Sequence, residues 1–225
     1  MTWGKIIDEF DSTSCLNHFD SDDFIKHSKG IYRENKRYDE LIEALHLMES
    51  PSKKVKILDI GGRFGEHSFC LSEFDLDITY HVLETTRNAE MGRVVNGEQV
   101  SFFSDIKDLD NRYDLVYSSS SFPMYFKDWR KVLREIIYKS PIVFLLEKCV
   151  LTKDLQSFIV EQITDQCPIS HHIVSIEDLK EEFNSYSYRL DKFDDQALIN
   201  NNGELPDREA KWSYRVARFK KVLVG

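Results

Sequence analysis

Asp59, Gly61, Gly62 and Gly65 carry the most informative spacing in this chain, within 56–69, KILDIGGRFGEHSF. A largely apolar run at 55–60 reads as a buried strand closed by an acid, and the glycines that follow suit a sharp turn. Without a Cβ, glycine adopts positive φ readily and lets the backbone come close to a ligand. A helix opening just after such a turn presents free N–H groups to a carboxylate or phosphate. The chemistry implied is the binding of a nucleotide-type cofactor.

Two cofactor classes compete for this turn. Dinucleotide folds place G-x-G-x-x-G directly after the first strand. Here Arg63 stands two places after Gly61, and Glu66 three places after that, so the dinucleotide pattern fails. A nicotinamide oxidoreductase is therefore a poor reading. The other class is the S-adenosylmethionine pattern, an acid followed by G-x-G-x-G. Asp59, Gly61 and Gly65 fit it, Gly62 lies inside the turn, and Arg63 replaces the central glycine.

The elements that must position the turn can also be read from the chain. A second strand at 79–84, TYHVLE, ends in Glu84, where a carboxylate accepts hydrogen bonds from ribose hydroxyls. A third, at 99–106, brings Asp105 to its end as a candidate for an adenine amino group, with Ser104 as the alternative. The fourth strand, 113–117, runs into the serine loop that begins at Ser118. Asp128 then caps a helix with Trp129, Val132, Leu133, Ile136 and Ile137 at helical spacing. A fifth strand, IVFLLE at 142–147, is apolar up to its closing Glu147, as a central parallel strand is. Alternating strands and helices predict an α/β, doubly wound, mostly parallel sheet with helices on both faces. Gly61, Glu84, Asp105 and Ser118 all fall at the carboxyl ends of its strands, where such sheets bind ligands.

The chain divides into an N-terminal helical segment, 1–52, and a main domain, 53–225. In the first, Tyr38, Leu41, Ile42, Leu45 and Met48 make one apolar stripe. It reads as a packing arm against the sheet or as a lid over the site. Towards the C-terminus, Ser175 and Asp178 suggest a capping box opening a helix, with strands near 188–193 and 213–219. The polar loop between those strands, with Asn200, Asn201, Asn202 and Gly203, is a candidate acceptor cover.

Composition narrows the function classes. Hydrophobic residues make up 41% of the 225 and charged residues 31%, as in globular domains. The net charge of −9 argues against a nucleic-acid substrate, which calls for a basic surface. No apolar run reaches the roughly 18 residues of a membrane helix, and residues 1–10 lack signal-peptide character. Cys15, Cys70, Cys149 and Cys167 are irregularly spaced without a C-x-x-C, which suits a reduced, cytoplasmic compartment. The seven histidines are scattered, so no metal site is expected.

The chain also resembles a group of bacterial class I S-adenosylmethionine-dependent methyltransferases associated with surface-polysaccharide biosynthesis. Trp3 and Gly4, HFDSDDFIKH at 18–27, ILDIGGRFGEHSF at 57–69 and SSSSFPMYFKDW at 118–129 carry the resemblance. It departs at Arg63 and Glu66 in the turn and at His171 and His172, where the family has aromatics. The resemblance implies a Rossmann-like class I methyltransferase fold of seven strands, with S-adenosylmethionine as cofactor. It also implies O-methylation of a sugar or sugar-derived small molecule, a nucleotide sugar or glycan among them. Homo-oligomerisation is compatible with it.

Methyl transfer from a sulfonium chiefly requires alignment of the nucleophile and exclusion of water. A hydroxyl acceptor adds a general base, for which His171 and His172 are first candidates. Tyr125, Glu147 and His67 follow. Two alternatives stay open: a nitrogen or non-sugar acceptor, and a cofactor-binding protein that has lost turnover.

Overall fold

The computed structural model describes residues 2–26, 38–48, 54–110, 112–139, 141–153, 155–163, 168–194, 203–205 and 208–222. These residues form two compact units. One comprises Phe19–Ser118 and Glu135–Leu145; the other comprises Met1–His18, Ser119–Arg134 and Leu146–Gly225.

The first unit is an open parallel sheet. Its strands are β2 (Lys54–Ile60), β3 (Asp77–Leu83), β4 (Ser101–Phe103), β5 (Leu115–Ser119) and the beginning of β6 (Val143–Thr152). Their order is β6-β5-β2-β3-β4, with β2 parallel to both β3 and β5, and β3 parallel to β4. The chain thus steps outward from β2 to β4 and then returns to the other side of β2. That reversal makes a topological switch point beside the end of β2. Ile57, Leu58, Val82, Leu115 and Val116 are fully buried at its centre.

Helices cover this sheet where the periodicity predicts. The stripe of α2 (Asp39–His46) buries Leu41, Ile42 and Leu45, with Tyr38 at its N-cap. The turn after β2 leads into a 3-10 helix, Glu66–Glu73, instead of the expected α-helix. The third strand is also shorter than the predicted 99–106. Asp105 accepts a hydrogen bond from the Lys107 N–H at 2.9 Å and caps a short 3-10 helix, so local capping ends the strand. Between them α3 (Thr86–Asn96) starts at Thr85, whose hydroxyl accepts from the Asn88 N–H.

The second unit is mixed. Its β1 (Thr2–Ile7), β7 (Phe158–Ile163) and β8 (Pro168–Ser175) are antiparallel neighbours, and β8 runs parallel to the end of β6. The predicted helical N-terminal segment therefore holds a strand at Thr2–Ile7, paired with β7. The same segment also contributes α1 (Ser12–Phe19). β11 (Arg208–Lys221) pairs with β6, β9 (Tyr188–Asp194) and β10 (Gly203–Leu205). These additions bring the count to eleven strands among the described residues, where seven are expected. Asp128 caps α4 (Trp129–Ile137) by accepting from the Lys131 N–H at 3.1 Å. Ser175 caps α5 (Ile176–Ser185) through the Glu177 N–H at 3.2 Å, while Asp178 bonds the Ser157 hydroxyl. Met48 lies within the described residues; Cys167 and Asn200–Asn202 of the sequence reading lie outside them.

One close approach sets how α3 meets β4. A Cβ on Gly92 would overlap the Phe102 ring. Gly92→Ala should therefore destabilise the protein by about 1–3 kcal/mol, as overpacked sites do, measured as a lower urea midpoint at an unchanged slope.

Candidate functional site

The glycine turn is built around a buried carboxylate. Asp59 is fully buried at the end of β2. Its Oδ2 lies 2.7 Å from His67 Nδ1 and accepts the Tyr80 hydroxyl at 2.7 Å. Tyr80 reaches it because the β2–β3 register sets Ile57 beside Tyr80 and Asp59 beside Val82, which puts all four on one sheet face. A Cβ on Gly62 would overlap Oδ2 and stand 3.1 Å from Oδ1, so only glycine fits over this carboxylate. Gly61 and Gly65 take φ of 73° and 79°, the left-handed region that the turn requires.

Arg63, the residue at odds with the glycine pattern, keeps the backbone role of a glycine. It adopts φ 48°, at a cost of about 1–2 kcal/mol for a side-chain-bearing residue. In that conformation its N–H donates to Glu84 Oε1 at 2.9 Å. Its guanidinium turns to Glu66, with Nε 2.8 Å from Oε1. Glu66 is only 2% exposed and brings a second buried carboxylate to the turn.

Glu84 sits just past β3 and closes the far side. Its oxygens accept from the N–H groups of Arg63 and Thr85, the latter at 2.8 Å. Burial pushes its pKa up to about 7; those two backbone donors hold it down and the Asp59 charge adds to the rise. The segment around Phe19 and Asp20 approaches the same corner. Asn88 Nδ2 donates to the Phe19 carbonyl at 3.2 Å, and the Thr85 hydroxyl donates to Asp20 Oδ1 at 2.6 Å.

Asp59, Gly61, Gly62, Gly65 and Glu84 thus meet at one turn. Ser118 is fully buried at the end of β5, where its hydroxyl donates to the Ile60 carbonyl at 2.9 Å. Asp105 is exposed and caps its own 3-10 helix. Sequence reasoning passed over the engagement of His67 with Asp59. A histidine eight places after a strand-end acid is its only signal, and the contact needs the turn's exact path.

The second unit holds His171, His172 and Tyr125. Both histidines lie within β8, not in a loop ahead of a helix, and successive strand residues face opposite ways. The His171 ring is fully buried, 4.6 Å from that of Tyr125. Burial pushes its pKa down to about 3, with a smaller contribution from His172. His172 instead stacks on Phe10 at 4.8 Å, and its pKa is also lowered by burial. Glu147 is buried in β6, with Lys148 Nζ 3.5 Å from its Oε1. That approach between chain neighbours accompanies the left-handed φ of 51° at Lys148. Among the described residues no cluster of three or more metal-ligating side chains occurs.

Comparison with solved structures places this architecture. A chain from the complex of the Haloferax volcanii Trm112 methyltransferase activator with a methyltransferase superposes with a TM-score of 0.61 at 15% identity, covering 93% of this chain and 98% of that one. The fold is that of the class I S-adenosylmethionine-dependent methyltransferases. The 1,6-didemethyltoxoflavin-N1-methyltransferase of Burkholderia thailandensis, solved with S-adenosylhomocysteine, gives 0.59 at 12% identity over 99% of this chain and 100% of that one. Magnesium protoporphyrin IX methyltransferase of Synechocystis, with bound S-adenosylmethionine, gives 0.59 at 10% identity over 97% and 100%. No protein-family model matches the chain, and no curated protein matches it in sequence. No described helix is long and apolar enough to cross a membrane.

The raised pKa of Glu84 predicts a pH dependence of stability. The folded state holds this proton more tightly than the unfolded chain, so the group favours folding most below about 4.5. That advantage is lost as pH rises towards about 7. Glu84→Gln, which carries no charge, should raise the urea midpoint at pH 8 relative to wild type, and the gain should vanish near pH 4.5.

Proposed function

We propose that this protein is an S-adenosylmethionine-dependent methyltransferase acting on a small molecule. The observation that carries the reading is the convergence of Asp59, the left-handed glycine turn and Glu84 at the switch point of a parallel sheet. The residues fit the cofactor. Glu84 would accept ribose hydroxyls, and Gly61, Gly62 and Gly65 would let the chain pass close to the ligand. Asp59 Oδ1 is a buried acceptor with no partner among the described residues. The cofactor supplies a methyl group already activated on a sulfonium. The protein's share is to orient the acceptor and keep water away.

The sequence resemblance favours a hydroxyl of a sugar or sugar-derived molecule, a nucleotide sugar or glycan among them; His171, His172 and Tyr125 are the candidate general bases for its proton on side-chain chemistry and not on the resemblance. A nitrogen acceptor is the second reading, since one structural neighbour is an N1-methyltransferase. Polysaccharide biosynthesis and a cytoplasmic location belong to the same proposal, as do the division at residue 52 and Asp105 and Ser118 as cofactor contacts.

Calorimetric titration with S-adenosylmethionine, S-adenosylhomocysteine and NAD tests the cofactor. Micromolar binding of the first two and none of NAD is expected; binding of NAD alone would overturn the reading, as would no binding at all. Glu84→Ala should weaken cofactor binding by about 1–3 kcal/mol through the lost hydrogen bonds. Affinity in the wild type should also fall as pH drops below about 7, where Glu84 takes up a proton and loses its charge and one of its two accepting oxygens.

A further inference from the structure

Asp59 uses its two oxygens unequally. Oδ2 meets both the Tyr80 hydroxyl and His67 Nδ1, each at 2.7 Å. Oδ1 has no partner among the described residues. A fully desolvated acceptor left unpaired costs about 1–3 kcal/mol unless a ligand supplies a donor. Two donors crowded onto one oxygen are therefore an arrangement that keeps the other available.

His67 is itself held in place. Its ring lies edge-on to Tyr38 at 4.4 Å and 88°, and to Tyr117 at 5.1 Å and 85°. The Cys70 thiol donates to its backbone carbonyl at 3.0 Å. Burial lowers the imidazole pKa, but the Asp59 charge and hydrogen bond, with help from Glu66, outweigh burial and Arg63, so the net direction is upward. Tyr80 is pushed well above the ordinary phenol range by burial and then by Asp59, so it remains a hydroxyl donor. Among the described residues, the groups around His67 are the Asp59 and Glu66 carboxylates, the Arg63 guanidinium, the rings of Tyr38 and Tyr117 and the Cys70 thiol on its carbonyl, with the Tyr80 hydroxyl on the shared Asp59 oxygen.

We propose that His67 is a positioning residue for the cofactor's amino-acid end. With Tyr80 it fixes one oxygen of Asp59 and leaves the other to accept the ligand's ammonium group. The proposal rests on the S-adenosylmethionine reading above. No covalent bond changes; the imidazole and phenol act through Asp59. A ligand ammonium on the same carboxylate would bring a second positive charge close to the imidazole and oppose its protonation.

The test combines an NMR titration of the His67 imidazole, with and without saturating S-adenosylhomocysteine, with calorimetric affinities of variants. The ligand is expected to lower the His67 midpoint. His67→Leu should lose about tenfold to a hundredfold in affinity, the span expected for a hydrogen bond to a charged group. His67→Asn, whose amide can donate near the Nδ1 position, should recover most of it, and Tyr80→Phe should lose less than His67→Leu. A ligand-bound wild type with an unmoved His67 midpoint overturns the proposal alone, as do wild-type affinities in both His67→Leu and Tyr80→Phe. If His67→Leu does not fold, Tyr80→Phe and the NMR midpoint decide. Failure of the wild type to bind overturns the cofactor reading, and this proposal with it.

Discussion

Burying the Asp59 carboxylate is the constraint on which the candidate site depends. A carboxylate withdrawn from water is tolerated only when donors meet it, and each donor here fixes a different part of the chain. Tyr80 ties it to β3 and His67 to the 3-10 helix, while the lack of a Cβ at Gly62 lets the turn fold directly over it. Once the turn is held at that point, the left-handed residues follow, and Arg63 turns its N–H towards Glu84. The carboxylate therefore organises the turn from beneath, and the ribose candidate is positioned as a consequence.

The charges gathered at the turn follow a common logic. Asp59, Glu66 and Glu84 contribute carboxyl groups, against the Arg63 guanidinium and the His67 imidazole, whose pKa is lowered by burial but raised on balance by the carboxylates. Arg63 serves two of the acids at once, one through its backbone and one through its guanidinium. A glycine at that position would supply the backbone bond without strain but would leave Glu66 buried without its ion pair. The arginine is thus coupled to Glu66, and the two departures from the glycine pattern explain each other.

Much of this was legible in the chain because local rules and tertiary context agree. The acids Asp59 and Glu84 at their strand ends, the glycine spacing, the Asp128 and Ser175 caps and the buried stripe of α2 each follow from nearest-neighbour chemistry, and each stands where expected. The rest depends on partners far away in sequence. The run at 142–147 reads as a complete strand, yet β6 continues to Thr152 because β8 and β11 lie alongside it. The strand at the N-terminus exists through pairing with β7, which no local pattern announces. At 99–106 an exposed aspartate capping its own turn ends the strand at Phe103, short of the expected length.

The same reasoning limits what the histidines of β8 can do in the proposed reaction. Alternation along the strand gives His171 and His172 separate faces, so one site can use only one of them. His171 lies against Tyr125, sealed from water, and burial keeps it neutral through the physiological range. A neutral imidazole with so low a pKa is a weak base but a stable donor or acceptor. That suits holding an acceptor in line more than removing its proton. With a sulfonium as leaving group, alignment is the larger part of the barrier to be overcome. An acceptor side built on Tyr125 and His171 would then act chiefly by orientation, and the acceptor's own acidity would decide how much help its proton needs.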